Sequence, residues 1–242
     1  MSHPERRESS PGKQPDFVSD SRVTVVIPAK DEEGLIGEIV DAVRQYADDI
    51  LVVDGHSRDR TSAIAVEHGA RVIQDNGRGK GGALRLAIGA ATTGILVFID
   101  ADGSHDPRDI PAMVAPIKAG EADMVIGSRG KGGSDELHGT LDQFIRYVGS
   151  QLIMLAINYR WNVRLTDSQN GFRAIRRDVA GRLGLTSNLT TIEQEMLMKA
   201  LKQGYRVSEI ASHESERRWG TSKVVVWKLW FAYVWSFLRN LI

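Results

Sequence analysis

The chain has no cysteine among its 242 residues, which excludes disulfide bridges and thiolate metal sites. It also has no uninterrupted run of 18 apolar residues, so the sequence predicts no transmembrane helix. Its aromatic residues are not interleaved with basic ones, which argues against a nucleic-acid-binding surface. What is present, 42% hydrophobic and 26% charged residues, is the composition of a globular protein.

Net charge is also lacking, because 31 basic residues balance 31 acidic ones. The two halves of the chain are nevertheless unequal: residues 1–125 hold 14 Lys and Arg against 21 Asp and Glu, whereas residues 126–242 hold 17 against 10. The C-terminal half is therefore a candidate for contacting an anion.

Residues 1–21 are polar and lack the apolar core of a signal peptide, so we expect a disordered tail there.

Strand-like and helical segments alternate from Val23 onward. The strand-like segments are VTVVIPA, ILVVD, ARVIQ, ILVFID and MVIGSR. This alternation predicts an α/β fold with a mainly parallel central sheet covered by helices on both faces. Ligands of such sheets bind at the carboxyl ends of the strands, where polar residues cluster here at 30–33, 54–59, 100–105 and 128–129.

The pattern changes after Arg129. We expect a long helix over residues 136–160, a strand passing into a helix over 170–183, and an amphipathic helix over 192–204. A strand-like and then basic stretch, YRVSEIASHESERRWGTSK, follows. No internal repeat is apparent, which argues against a repeat architecture.

The stretch ILVFIDADGSH ends an apolar strand with two carboxylates, Asp100 and Asp102. Like charges this close repel each other and are costly to desolvate, so a cation should compensate them. A carboxylate pair suits a hard divalent cation such as Mg²⁺ or Mn²⁺, which keeps open positions for phosphates. The alternative is a turn in which Asp106 caps the helix at Pro107, and this alternative leaves Asp100 unexplained.

Gly77, Gly79 and Gly82 form a G-x-G-x-x-G triplet between a strand and a helix, which is the pattern of a dinucleotide-binding loop. Two strand–helix units precede the triplet, and it gives no reason for Asp102. A nicotinamide or flavin enzyme is therefore the weaker interpretation. The P-loop pattern fails around Lys80, and the glycine of an EF-hand loop is out of place.

Nine short motifs occur in a fixed order along residues 22–223. They are VVIPAKDEE, ILVVDGHSRDRT, GRGKGGALRLAI, VFIDADGSHDP, MVIGSR, RYVGS, DSQNGFRAI, EQEMLMKALKQGYRVSEI and RRWGTSK. With these motifs the chain resembles the family 2 glycosyltransferases, and within them the dolichyl- or polyprenyl-phosphate mannose synthases. The resemblance implies a GT-A-type nucleotide-sugar-binding domain over 22–223. It also implies an inverting transfer of mannose or glucose from a GDP- or UDP-sugar to a polyprenyl phosphate.

The resemblance also assigns a donor site. Asp100 and Asp102 match the family's D-x-D motif, with Ala101 between them, and are expected to bind Mg²⁺ or Mn²⁺ at the donor's diphosphate. The other expected donor-site residues are Pro28, Ala29, Glu32, Asp54 and Lys80. Lys80 either approaches a phosphate or is a solvated loop lysine, and the third metal ligand stays open.

Arg129, Arg146 and Ser150 match the family's acceptor-phosphate positions, and the last two share a helix face because they are four residues apart. Further candidates from the basic half are Arg173, Arg217 and Lys223. A phosphate monoester is mostly dianionic near neutral pH, since its second pKa is about 6, so a strong general base is not obligatory. The expected catalytic residues are Asp102, Arg129, Arg146, Ser150 and Arg217.

The segment 224–242 is rich in aromatic residues, but Lys228 and Arg239 leave too few residues between them to span a bilayer. Its aromatic face suits either a membrane interface or a second copy of the chain. We therefore expect a cytoplasmic enzyme that associates peripherally with the membrane through an amphipathic helix. The alternatives are a soluble family 2 glycosyltransferase with a non-lipid acceptor, a sugar nucleotidyltransferase, and a binding module without activity.

Overall fold

The computed structural model describes residues 20–135, 141–219 and 226–241, without the side chains of residues 141–147 and 226–230. The expected disordered tail therefore lies almost entirely outside the described residues. Seven strands form one sheet in the order β3-β2-β1-β4-β6-β5-β7. They are β1 (Val23–Ala29), β2 (Asp49–Asp54), β3 (Arg71–Gln74), β4 (Ile95–Phe98), β5 (Met124–Ser128), β6 (Arg173–Arg176) and β7 (Val207–Ala211).

All neighbouring strands run parallel except around β6, which is antiparallel to both β4 and β5. The central strands β1 and β4 are buried along nearly their whole length. Continuous apolar runs such as VTVVI and ILVF are what strands covered on both faces require. The predicted α/β class and mainly parallel sheet are confirmed.

Helices cover both faces of the sheet. They are α1 (Ile36–Val43), α2 (Thr61–Glu67), α3 (Lys80–Ala90), α4 (Ile110–Lys118), α5 (Arg129–Gly132), α6 (Leu141–Trp161), α7 (Arg177–Arg182), α8 (Ile192–Lys202) and α9 (Val226–Leu241). One face buries apolar residues of α1, α2 and α4, and the other buries apolar residues of α3, α6, α7, α8 and α9. Each cluster removes apolar surface from water and so stabilises its own layer.

The strand order reverses between β1 and β4, because β1 pairs with β2 on one side and with β4 on the other. A parallel sheet has a crevice at such a point, beyond the carboxyl ends of its strands. Ala29 pairs with Asp54 at this edge, and Asp100 follows the end of β4 by two residues. The polar ends of β1, β2 and β4 seen in the sequence therefore meet at one crevice.

The C-terminal helix α9 has two different faces. One face packs against α8 and α6 through partly buried apolar residues. The other is exposed, and α6 exposes apolar side chains as well. The exposed apolar residues of these two helices, named here the α6–α9 apolar face, are Val148, Leu152, Leu155, Tyr159, Phe231, Trp235 and Leu238. No helix in the described ranges combines the length and the apolar character needed to cross a bilayer.

Candidate active site

A cleft of about 440 Å³ lies at the switch point of the sheet. The predicted site residues that line it are Pro28, Ala29, Glu32, Lys80, Asp100, Ala101, Asp102 and Arg217. Seven of these residues come from the ends of strands β1 and β4 and from the start of α3. Arg217 comes from the segment after β7, so the fold brings the basic half of the chain onto the acidic half here.

Asp100 is held by Lys80. The Lys80 Nζ lies 2.7 Å from Asp100 Oδ1 and 3.0 Å from Oε1 of Glu193, at the start of α8. Burial acts to raise the pKa of Asp100, but Lys80 and the other cationic groups nearby together outweigh it, so the pKa lies below its ordinary value. Burial acts to lower the pKa of Lys80, but Asp100 and Glu193 raise it above the ordinary value. Both groups are therefore charged, and Lys80 is not a solvated loop lysine.

Asp102 is held by Arg217 and by its own turn. The Arg217 Nη2 lies 2.9 Å from Asp102 Oδ2, and its Nη1 lies 3.7 Å from Glu32 Oε1. The other Asp102 oxygen accepts hydrogen bonds from the Ser104 backbone N–H at 3.0 Å and from the Ser104 hydroxyl at 2.7 Å. Ser104 thus fixes the orientation of a carboxylate that faces the cleft.

The donor set of the cleft suits a hard divalent cation. Both D-x-D carboxylates line one cavity, and each lies within 3.0 Å of a cationic group. The two carboxylates therefore already have positive charge beside them. No group of three ligating side chains occurs among the residues that the structure describes. A Mg²⁺ or Mn²⁺ ion would therefore take one or two carboxylates and complete its shell with water and phosphate oxygens, as is usual for Mg²⁺.

The glycine triplet has a structural explanation. Gly77 and Gly79 line the cleft and have φ of +69° and +84°, a region that side chains other than glycine rarely adopt. A Cβ on Gly82 would lie 3.0 Å from Asn76 Oδ1, and one on the neighbouring Gly81 would collide with the carbonyl oxygen of Ser187, in the loop before α8. The glycines therefore shape the wall of the cleft and let α3 approach that loop. The pattern does not require a dinucleotide.

The cleft also has lining residues that were missed from the sequence, among them Asp75 and Thr190. Asp75 follows β3, is buried, and accepts a hydrogen bond from the Gly77 backbone N–H at 2.7 Å. Asp75 is itself a polar residue directly after a strand, so the same sequence signal identifies it. Thr190 carried no sequence signal, because the fold brings it to the cleft from the loop before α8. The predicted Asp54 lies between two lining residues and accepts the Ser57 backbone N–H at 3.2 Å.

A second, smaller cavity of about 150 Å³ is lined by Arg129 and Ser150, two of the predicted acceptor residues. Arg129 forms a bidentate ion pair with Asp167: its Nε lies 2.6 Å from Oδ2, and its Nη2 lies 3.0 Å from Oδ1. Glu214 lies 3.4 Å from the remaining nitrogen of the guanidinium. Burial acts to lower the pKa of Arg129, but Asp167 and Glu214 raise it, so the guanidinium is charged.

Other predicted acceptor residues have different outcomes. The side chain of Arg146 and all of Lys223 lie outside the described residues. The expectation that Arg173 contacts a phosphate is wrong, because this residue is fully buried and lines neither cavity. Its guanidinium donates to the backbone carbonyls of Asn170 and, at 2.7 Å, Glu193. Burial lowers the pKa of Arg173. Its hydrogen bonds connect the loop before β6 to the start of α8.

A mainly parallel sheet with polar and charged residues in its switch-point crevice defines the class of α/β domains in which ligand sites lie at the carboxyl ends of the strands. Comparison with known proteins then identifies the family. The family described as "Glycosyl transferase family 2" matches residues 24–184. The chain belongs to this family and is a glycosyltransferase.

The relatives also include polyprenyl-phosphate enzymes. Polyprenol monophosphomannose synthase of Mycolicibacterium smegmatis is 31% identical, and the match covers 93% of this chain and 89% of that protein. The low-salt glycan biosynthesis hexosyltransferase Agl6 of Haloferax volcanii is 30% identical over 77% of this chain. The chain spans only 46% of Agl6. The resemblance to the polyprenyl-phosphate mannose synthase group is confirmed.

A solved structure supports the fold. Glucosyl-3-phosphoglycerate synthase of Mycobacterium tuberculosis, in complex with Mn²⁺, UDP and glucosyl-3-phosphoglycerate, superimposes with a TM-score of 0.70 at 21% identity. The alignment covers 97% of this chain and 86% of that one. The predicted nucleotide-sugar-binding type of fold is confirmed.

Proposed function

We propose that this glycosyltransferase moves a hexose, mannose or glucose, from a GDP- or UDP-linked donor to a polyprenyl phosphate, with a divalent cation and with inversion. The observation that carries the proposal is the cleft, in which two carboxylates and two cations converge. Such a site matches a nucleoside diphosphate held through a metal ion and through direct cationic contacts. The relative named polyprenol monophosphomannose synthase supports the choice of acceptor.

Asp100 and Asp102 would hold the ion, which when bound neutralises the diphosphate and makes it a better leaving group. Lys80 and Arg217 add positive charge on the same side of the cleft. Pro28 and Ala29 at the end of β1 offer a wall for the nucleoside. These residues bind and orient the donor with its diphosphate turned toward the cations.

An acceptor phosphate oxygen then attacks the anomeric carbon, the bond from that carbon to the diphosphate breaks, and the nucleoside diphosphate leaves. This single displacement gives a β-linked product from an α-linked donor. The dianionic acceptor needs no proton removed, so the chain's task is to position it. The cavity at Arg129 and Ser150 is the candidate acceptor site, and Arg146 belongs to the same helix as Ser150.

The acceptor cavity is close to an apolar surface. Gln151 and Met154 of α6 line the cavity, and the exposed Leu152 and Leu155 stand beside them on the same helix. The α6–α9 apolar face would therefore meet the acyl region of a bilayer, where the polyprenyl tail lies. Peripheral attachment of a cytoplasmic enzyme to the membrane surface is part of the proposal. Pairing of two copies through this face is its rival.

The donor and acceptor are tested together. The protein is incubated with Mn²⁺, with GDP-mannose or UDP-glucose, and with either a polyprenyl phosphate in detergent or glycerol 3-phosphate. We expect transfer to the polyprenyl phosphate and inversion of the anomeric centre by NMR. Transfer only to glycerol 3-phosphate would contradict the lipid acceptor, and a retained configuration would contradict the single displacement. Full activity in EDTA would contradict the metal.

Membrane attachment is tested by sedimentation with anionic phospholipid vesicles. Leu155→Ser and Trp235→Ser should each lower the bound fraction, because these side chains are 67% and 68% exposed. Val66→Ser is the matched control, since this residue is 59% exposed on α2, across the sheet. If the two variants bind vesicles as the wild type does but convert a dimer to a monomer, the face belongs to a second subunit.

A further inference from the structure

Glu193 is a buried acid that the proposed mechanism does not use. Its side chain is 2% exposed, and among the described residues neither of its carboxylate oxygens accepts a directed hydrogen bond. A buried carboxylate is costly unless a cation compensates it. The Lys80 Nζ at 3.0 Å provides that compensation. The position of Glu193 is therefore tied to Lys80.

Lys80 stands between two acids of different kinds. Asp100, at 2.7 Å, belongs to the D-x-D motif and faces the cleft, whereas Glu193 lies behind it in the protein. A divalent cation bound to Asp100 would repel an ammonium group at this distance. Lys80 must then either leave the site or shift toward its second acid.

The Lys80–Asp100 pair packs directly against the backbone of Gly171. A Cβ on Gly171 would lie 2.8 Å from Asp100 Oδ2 and 2.8 Å from Lys80 Nζ. Glycine at this position therefore lets the two charged groups occupy the space that a side chain would fill. The alternation of Lys80 between the two acids needs a movement of only the end of a flexible side chain.

We propose that Glu193 is a positioning residue that receives the Lys80 ammonium when a divalent cation binds Asp100. In the absence of the ion Lys80 is shared by both acids, and with the ion bound it pairs with Glu193 while staying close to the donor's diphosphate. Glu193 thus acts through Lys80 to free a metal ligand without losing a cation from the cleft. The inference rests on the divalent-cation dependence proposed above.

The second carboxylate of the motif has a related arrangement. Arg217 contacts Asp102 at 2.9 Å and approaches Glu32 at 3.7 Å. Each D-x-D carboxylate therefore shares a protein cation with an acid outside the motif. The distance to Glu32 is the longer one, so Glu32→Gln should affect metal binding less than Glu193→Gln.

The test is a titration of the full chain with Mn²⁺ alone, in which free Mn²⁺ is measured by electron paramagnetic resonance. Glu193→Gln should weaken Mn²⁺ binding by about tenfold, as loss of an outer-shell partner does. Lys80→Met should tighten it, because the competing cation is gone. In the double variant Lys80→Met/Glu193→Gln, the Glu193 substitution should add little or no weakening.

Glu195→Gln is the control for loss of a buried acid. This residue lies on the same helix, pairs with Lys199 at 2.6 Å, and lines neither of the two cavities. It should leave Mn²⁺ affinity unchanged. The double variant removes both buried charges together, so it remains informative if Lys80→Met alone fails to fold. It should then bind Mn²⁺ more tightly than Glu193→Gln.

Two results overturn the inference while leaving the proposed function standing. One is Mn²⁺ binding that Glu193→Gln does not change. The other is an equal or larger weakening by Glu193→Gln when Lys80 is absent, since Glu193 would then act as a simple charge through space. A wild-type protein that binds no Mn²⁺ would instead remove the proposed metal dependence, and this inference with it.

Discussion

The two ion-pair groups at the sheet edge differ in how firmly they are held. In the cleft, the single Nζ of Lys80 is shared between Asp100 and Glu193, and the Lys80 and Asp100 side chains are about one quarter exposed. At the second cavity, Arg129 and Asp167 form a bidentate pair. Backbone N–H groups of residues 169 and 170 also donate to Asp167.

This difference separates two uses of the same chemistry. A carboxylate that accepts a bidentate guanidinium and several backbone N–H groups has little to gain from a new ligand. A carboxylate that shares one ammonium with another acid can exchange it. The Arg129–Asp167 pair is therefore expected to support the fold around the second cavity, whereas the cleft pairs are expected to support ligand exchange.

The largest effect is expected at the Arg129–Asp167 pair, on the free energy of unfolding. Asp167→Asn removes one partner of a buried ion pair and should lower the free energy of unfolding by about 3–5 kcal/mol. Urea denaturation at pH 7 measures this. Glu67→Gln is the control, because the pair of Glu67 with Arg60 is exposed and should contribute about 0–1 kcal/mol. Similar losses in the two variants would remove the distinction drawn here.

The pH dependence of this pair follows from its pKa. Burial acts to raise the pKa of Asp167, but Arg129 and the backbone N–H groups of residues 169 and 170 together lower it more, so the folded pKa lies below the ordinary value of 3.8. A lowered carboxyl pKa stabilises the fold above the ordinary value, and this stabilisation is lost as the pH falls through the folded pKa. The gap in stability between wild type and Asp167→Asn should therefore narrow below pH 3.8.

The cleft pair should affect rate more than stability. Asp102→Asn should lower turnover by about 10²–10³-fold, the range for loss of an electrostatic group at a reacting centre. The amide can still accept the hydrogen bonds from Ser104, so the melting temperature should change little. Asp106→Asn is the control in the same loop, since asparagine also caps a helix. A variant that turns over normally would show that the cleft carboxylate is structural.

A smaller effect is expected from Gly171→Ala, which places a methyl group against the Lys80–Asp100 pair. Overpacking of this kind costs about 1–3 kcal/mol unless the lysine moves aside. Tighter Mn²⁺ binding with little loss of stability would indicate that Lys80 has moved away from Asp100. The control is Gly89→Ala in α3, where a Cβ meets nothing within 4 Å, and it should be neutral or stabilising.

The smallest effect is expected from His213→Gln. This exposed residue precedes Glu214, which contacts Arg129. The carbonyl of Gly132 and the carboxylate of Asp135, 3.1 Å away, raise the pKa of His213 above its ordinary value of 6.5. A raised histidine pKa stabilises the fold below the ordinary value, and this stabilisation is lost as the pH rises through the folded pKa. Thermal melts from pH 5 to pH 8 should show wild type and variant converging at the higher pH. A gap that widens with pH would contradict this.

Much of the fold could be predicted from local sequence. Apolar runs of strand length separated by amphipathic helices predict the alternating α/β order, because side-chain periodicity follows directly from backbone geometry. The D-x-D motif at the end of β4 also pointed to the cleft, since carboxyl ends of parallel strands share one edge. Asp75 follows from the same rule.

The partners of those residues could not be predicted locally. The sequence by itself determined that Asp100 and Asp102 need a cation, because two close carboxylates repel. Only the tertiary structure decided that Asp100 pairs with Lys80 and Asp102 with Arg217, and that the acid Glu193 shares Lys80. These residues come from distant segments of the chain. The tertiary structure also decided that Arg173 is a buried structural residue rather than a phosphate ligand. Burial and pairing depend on which surfaces meet across the sheet, and no single segment of the chain contains that information.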